Sequence, residues 1–234
     1  MGGYAAVILA GGSGRRLRGA GKPAVPVAGR GMRDRVLAAV ADAAPRIVVG
    51  PSTDLPAGVL VTREDPPGGG PVAALAAGLA LPELAAVREV AVLAADLPLL
   101  TPEAVALLRR ELRSAGGPAS GHADGAGHAD GAGYADGAGH AGGAGHADGA
   151  CYLDGAGRRQ SLCGMWWTAS LRRALDSLAR SRGGSLAGAS VRALFDGLAV
   201  REVTGPTDGP PPWFDCDTEA DVRRAEEWLD DDHG

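Results

Sequence analysis

The sequence predicts an α/β chain: a mainly parallel sheet covered by helices on both faces and interrupted by a low-complexity insert. Three observations carry this reading. Short apolar runs at residues 4–10, 46–50, 58–62 and 90–95 alternate with stretches of helical periodicity. The first run stops at a glycine-rich, basic stretch, Gly11-Gly-Ser-Gly-Arg-Arg16. Residues 121–149 abandon both periods for a Gly-His-Ala-Asp-Gly-Ala unit that recurs every six residues.

The totals bound what such a chain does. A length of 234 residues suits one domain of moderate size with a substantial core. Hydrophobic residues make up 45% but aromatic ones only 4%, so that core must be built of Ala, Val and Leu. A net charge of −5 argues against a broad nucleic-acid footprint. Cys151, Cys163 and Cys216 form no C-x-x-C pair and no disulfide framework, which fits a reducing compartment. The apolar run at residues 4–10 is too short for a membrane span and has no basic n-region, so the expected location is the cytoplasm.

The elements follow in order. Residues 4–10 read as a buried strand. Residues 32–44 carry Val36, Leu37 and Val40 at helical spacing and stop at Pro45. Residues 46–50 and 58–62 are two β-branched runs, and residues 63–71 are turn chemistry throughout. Residues 72–81 are apolar on nearly every side, a buried helix, and residues 90–95 are the next strand, ending at Asp96-Leu-Pro98. Thr101, Pro102 and Glu103 open a helix with a hydroxyl cap, a first-turn proline and an acid near the positive end of the dipole. Order resumes near Cys151. Residues 168–180 are helical, with Leu171, Leu175 and Leu178 on one face, and residues 185–194 also read as helix. Residues 198–203 form a strand, and Thr218 caps a last helix with Glu219 and Asp221 in its first turn. The domain therefore divides into residues 1–120, a flexible insert at 121–149, and residues 150–234. A stacked hexapeptide coil is disfavoured because each rung would offer only alanine to a core. His122, His128, His140 and His146 are metal-ligand types, but six-residue spacing in a glycine-rich coil preorganises none of them.

Sheets of this kind bind ligands at the carboxyl ends of their strands, where Gly11 and Asp96 both fall. A strand feeding a glycine-rich loop is a phosphate cradle, because backbone N–H groups reach an anion only where side chains are absent. Arg15, Arg16 and Lys22 add positive charge. Spacing excludes two familiar loops. The dinucleotide fingerprint needs a glycine where Leu17 stands, and the ATPase phosphate loop needs glycine at Arg16 and Ser or Thr at Pro23. Asp96 suits a Mg²⁺ ligand beside bound phosphates, with Asp217 as its natural partner; Asp215 is a fallback, expected on the opposite face. Each also has an ordinary explanation, Asp96 as a turn residue and Asp217 as helix-start chemistry. Asp65 is either a turn aspartate or an acceptor for guanine N1 and N2. Arg158 and Arg159 are either a solvated patch or a bidentate anchor for a second anionic substrate.

Leu9-Ala-Gly-Gly-Ser-Gly-Arg-Arg16, Lys22-Pro23, Gly70-Pro-Val-Ala-Ala-Leu75, Ala95-Asp-Leu-Pro98, Arg159-Gln-Ser-Leu162 and Asp215-Cys-Asp-Thr218 occur in that order. Together they resemble the MobA-like nucleotidyltransferases, typified by molybdenum cofactor guanylyltransferase. The resemblance implies a three-layer Rossmann-like fold and transfer of GMP from GTP to the phosphate of molybdopterin, with pyrophosphate released. It implies nucleotide contacts from Leu9, Ala10, Gly11 and Gly12, phosphate contacts from Arg16 and Lys22, Mg²⁺ at Asp96, and the guanine-reading acid at Asp65. Recipient molybdoenzymes or cofactor-delivery proteins are the implied partners; nucleic acid and membrane are not. The sequence departs from the family's usual residues at Gly21, Gly50, Arg159 and Ser161. Cytidylyl transfer to the same cofactor, guanylyl transfer to another phosphorylated metabolite, and a non-catalytic nucleotide-binding or delivery role stand as alternatives.

Overall fold

In a computed structural model of the chain, residues 3–11, 25–51, 53–117, 146–206 and 209–231 are described. Nine strands and six α-helices are assigned among them. They are β1 (Ala5–Leu9), β2 (Pro26–Val27), β3 (Arg30–Gly31), α1 (Met32–Ala39), β4 (Arg46–Val49), β5 (Val59–Thr62), α2 (Pro71–Leu79), β6 (Glu89–Ala94), α3 (Pro102–Ser114), β7 (Gly149–Leu153), β8 (Arg159–Trp167), α4 (Thr168–Ser181), α5 (Val191–Phe195), β9 (Val200–Thr204) and α6 (Glu219–Asp231).

Seven strands form one sheet in the order β5-β4-β1-β6-β8-β7-β9, parallel except for β8. β1 lies inside it, with Ile8 opposite Val48 of β4 on one edge and Leu93 of β6 on the other. Alternate side chains of a strand point to opposite faces. Ala6 and Ile8 accordingly join Val36 and Leu37 of α1 and Leu108 and Leu112 of α3 in one core. Ala5, Val7 and Leu9 join Leu75 of α2, Leu171 and Leu175 of α4 and Phe195 of α5 in another. The result is the three-layer α/β arrangement that the alternating pattern predicts.

Two local readings are corrected. α1 stops at Ala39 rather than Ala44, because Ala44 donates its N–H to Tyr4 O (2.9 Å) and Pro45 O accepts from Ala6 (3.0 Å), tying this stretch to β1. Of residues 185–194 only the last few are helical. Gly188 donates its N–H to Gly69 O (2.8 Å), and Arg182 Nη2 donates to Ala187 O (2.9 Å), so these backbone groups have partners outside a helix. The β7–β8 hairpin was not legible as a pair. β7 starts at Gly149, where any Cβ would overlap the Trp166 ring of β8.

Residues 118–145 lie outside the described residues, and with them His122, His128 and His140. The last repeat unit does not. Asp148 accepts from Ser170 Oγ (2.6 Å), from the Ala199 N–H (3.0 Å) and from Arg173 Nη2 (3.4 Å), and it pairs with His146 Nε2 (3.3 Å). Burial works against its charge, but the bonds from Ser170, Ala199 and His146 outweigh it and hold the carboxyl below its usual range. The two anchors of the insert meet at Trp167: a Cβ on Gly117 would lie 2.9 Å from its ring, and its N–H donates to Asp148 O (3.0 Å). Trp167 faces Glu89 at the amino end of β6, about 20 Å of strand from the carboxyl end. Among the described residues no helix is long and apolar enough to cross a membrane.

Two outcomes are expected. Asp148→Ala strands several donors and should lower unfolding free energy by about 2–3 kcal/mol at neutral pH in denaturant titration. Because the folded carboxyl is depressed, its contribution is fully present above the unfolded value near pH 4 and is lost as pH falls through the folded value, so the gap from wild type should narrow only below about pH 4. Replacing residues 118–145 by a short Gly-Ser linker should leave the thermal midpoint within a few degrees, since the closed loop joins two points on one residue, the ring and the backbone of Trp167; a chain that fails to fold would show that the insert is structural.

Candidate functional site

The carboxyl end of β1 is held on both sides. Ala10 donates its N–H to Val49 O (2.8 Å) at the end of β4, and Leu9 O accepts from the Ala95 N–H (3.1 Å) beyond β6. Leu9 and Ala10 are buried and Gly11 is exposed, so the chain leaves the sheet at that residue. Gly50 backs directly onto this exit. A Cβ there would lie 2.9 Å from Ala10 C and from Gly11 N, and its φ of 131° is one that residues with a side chain rarely adopt. That close approach leaves room for no side chain at this position. Gly12, Arg15, Arg16 and Lys22 lie outside the described residues.

Next to this exit, over β6 and β8, opens a cavity of about 820 Å³, within the range of small-molecule sites. Asp96 lines it at the end of β6, as do Asp215 and Asp217, and the Cys216 N–H donates to Asp96 O (3.2 Å), so one backbone bond holds the two carboxylate segments together. The expectation that Asp215 faces away from Asp217 is overturned. Residues two apart in an extended segment share a face, and it is Cys216 between them that points inward and is fully buried. The set is one of hard oxygen donors suited to Mg²⁺, which keeps near-octahedral geometry and takes one or two carboxylates alongside substrate phosphates. Among the described residues no three His, Cys, Asp or Glu side chains converge into an all-protein metal cage.

The opposite wall comes from the β7–β8 turn and the start of β8, including Arg158, Arg159 and Gln160. Asp154 organises this turn. Its carboxylate accepts from the N–H groups of Ala156 and Arg158 (2.9 Å each), from Arg158 Nε (2.8 Å) and from Gln160 Nε2 (3.0 Å). The Arg158 N–H is the chief reason the carboxyl is held below its usual range. Arg159 Nε pairs with Glu202 of β9 (2.8 Å). Both arginines thus face the cavity with counter-ions already in place. Arg192 and Asp196 of the α5 segment, Glu202 and Trp213 also line it. Sequence reasoning missed these; only Asp154, in an Asp-Gly-Ala-Gly turn, carried a local signal.

Asp65 lies elsewhere. It is exposed in the turn between β5 and α2 and does not line the cavity with Asp96. Its neighbour Glu64 is the better anchored acid: Oε1 accepts from the Gly68 N–H (2.9 Å), while the buried Oε2 has no hydrogen-bond partner among the described residues. Along the carboxyl edge the order is therefore Asp65 beyond β5, Leu9 to Gly11 at β1, Asp96 just beyond β6, and Arg158 and Arg159 at the start of β8. At about 4.8 Å per strand, β5 to β8 spans roughly 19 Å. The buried thiols are not part of this chemistry: burial pushes Cys151 up to about 11 and raises Cys163 as well.

Comparison with known proteins supplies the context. Solved structures share the fold. Molybdopterin-guanine dinucleotide biosynthesis protein A from Archaeoglobus fulgidus superposes with a TM-score of 0.62 at 18% identity, covering 97% of this chain and 100% of that one. The 2-C-methyl-D-erythritol 4-phosphate cytidylyltransferase from Thermus thermophilus gives 0.58 at 20%, covering 96% and 98%. The 4-diphosphocytidyl-2C-methyl-D-erythritol synthase from Anaerococcus prevotii gives 0.60 at 13%, covering 98% and 99%. No curated protein matches the sequence. The profile of the MobA-like NTP transferase domain matches residues 6–196, most of the chain, and the protein belongs to that family of nucleotidyltransferases.

Proposed function

We propose that the chain transfers GMP from GTP to the phosphate of molybdopterin and releases pyrophosphate. The observation that supports this most is the linear array along the carboxyl edge. A nucleotide laid across it would place its base toward Asp65, its phosphates at Leu9, Ala10, Gly11 and Gly12, and its α-phosphorus near Asp96. Arg158 and Arg159 would receive the phosphate of the acceptor on the far wall.

An acceptor phosphate oxygen attacks the α-phosphorus, a new P–O bond forms there, and the bond to the leaving pyrophosphate breaks. The nucleophile is already ionised, so no general base is needed, and the protein's work is alignment and charge neutralisation. Arg16 and Lys22 would neutralise the leaving pyrophosphate. Asp96 and Asp217, with Asp215 on the same face, would hold Mg²⁺, whose chemistry here is to screen the phosphates. The ion pairs of Arg158 with Asp154 and of Arg159 with Glu202 keep both guanidinium groups oriented before an acceptor arrives.

A second reading, cytidylyl transfer, is favoured by the comparable likeness to cytidylyltransferase structures. Purified protein incubated with molybdopterin, Mg²⁺ and each NTP in turn decides between them. Pyrophosphate release is expected with GTP, falling by about 10²-fold or more in Asp96→Ala and by about 10-fold or more in Lys22→Ala. Release with CTP alone would move the assignment to the cytidylyl branch, and nucleotide binding without any release would favour a delivery protein. Gly50→Ala should displace the exit of β1, raising KM for the NTP several-fold and leaving KM for the acceptor unchanged in the same assay.

A further inference from the structure

A third apolar cluster stands apart from the two cores that sandwich the sheet. Val27, Met32, Leu99, Cys216 and Ala225 form its buried centre, with Trp228 among the partly buried side chains packed around it. Its members come from five places. Val27 belongs to β2, Met32 opens α1, and Leu99 follows Asp96 in the turn after β6. Cys216 lies between Asp215 and Asp217, and Ala225 and Trp228 are on α6. One small core therefore ties together the segment that follows Lys22, the segment that follows Asp96, and the carboxylates at 215 and 217. The family profile stops at residue 196, so α6 and Cys216 lie beyond what it describes.

Two polar contacts pin the β2–β3 hairpin to its neighbours. Arg35 of α1 donates Nε and Nη2 to Val27 O (3.0 and 2.9 Å). Glu226 of α6 accepts the N–H of Ala28 (3.0 Å). Ala28 has φ +46° and Gly29 φ +73°, the left-handed pair that a tight hairpin turn requires. Alanine does not favour that conformation, so the exposed hydrogen bond from its N–H to the Glu226 carboxylate supports the turn in a shape its own sequence specifies poorly. Val25 is three residues after Lys22, and three extended residues span at most about 11 Å. Whatever fixes the hairpin thus fixes the end, at Val25, of the short stretch of chain that leads back to Lys22.

We propose that Glu226 is a positioning residue for nucleotidyl transfer: by holding the Ala28 amide, α6 fixes the chain that runs on from Lys22 relative to Asp96 and Asp217. Glu226 touches neither substrate. It acts through the hairpin, on the nucleotide side of the cavity and not on the Arg158–Arg159 wall. The role rests on the transfer reaction proposed above.

The test uses the full chain and compares Glu226→Ala, Glu226→Gln and, as a control, Glu227→Ala on the exposed side of the same helix. Glu226→Ala should raise KM for the NTP about tenfold, the size of a lost charge-assisted hydrogen bond, with acceptor KM within twofold and a thermal midpoint near wild type. Glu226→Gln keeps an oxygen that accepts the same N–H and should recover at least half of that loss. In the absence of substrates, amide exchange at residues 25–31 should be faster in Glu226→Ala than in Glu226→Gln. An unchanged Glu226→Ala, a parallel rise in both KM values, or a Gln variant no better than Ala would each overturn the role. Absence of transfer by the wild type sinks the functional reading itself, a result distinct from transfer that ignores Glu226.

Discussion

Strand β1 is the constraint on which the rest depends. It is buried on both faces and hydrogen-bonded on both edges, with Ala5 to Ile8 wholly inaccessible. A side chain such as Ile8 contributes roughly 2–3 kcal/mol by its burial, and one strand here feeds both cores. The same double burial directs the chain exit. Because both edges of β1 are occupied to its last residue, Leu9 and Ala10 still bond to neighbours while Gly11 is free to leave. Gly50 lets the adjacent strand end close enough to back that exit without a side chain between them.

The candidate site is assembled from segments that belong to different cores. Leu9 and Ala10 lie on opposite faces of the sheet, Asp96 ends β6, and Cys216 sits in the small third cluster. The Cys216 N–H donates to Asp96 O and so connects the last two. The wall formed by the β7–β8 turn is built on another plan. A hairpin turn closed by Asp154 presents Arg158, and β9 supplies Glu202 to hold Arg159.

Much of the fold was legible because its periods are clean. β1, β4, β5 and β6 are fully or largely apolar runs broken by Gly or Pro, and α3 carries its own start signal, Thr101 accepting from Ala104 N (3.2 Å). The capping of α6 is equally local, with Thr218 Oγ1 accepting from the Asp221 N–H (3.2 Å) and Asp221 accepting from the Thr218 N–H (2.7 Å). What failed did so where partners are remote. The end of α1 is set by bonds to Tyr4 and Ala6, the loss of helix at 185–190 involves a bond to Gly69, and β7 begins in a repeat unit indistinguishable by composition from those before it. Asp148 becomes a hub only because Ser170 and Ala199 arrive beside it from later in the chain.

By itself the sequence determined the alternation of strands and helices, the glycine-rich exit after β1, the carboxylates at 96 and 217 and the family they resemble. These are short-range features, written in periodicity, turn chemistry and motif spacing. Only the tertiary structure decided that Asp215 and Asp217 line one cavity with Asp96, that Asp65 lies apart from that cavity, and that Glu226 reaches the hairpin after Lys22. Each of those depends on strand order or on contacts between residues far apart in the chain. Such contacts are selected by the packing of whole elements, and no local pattern encodes them.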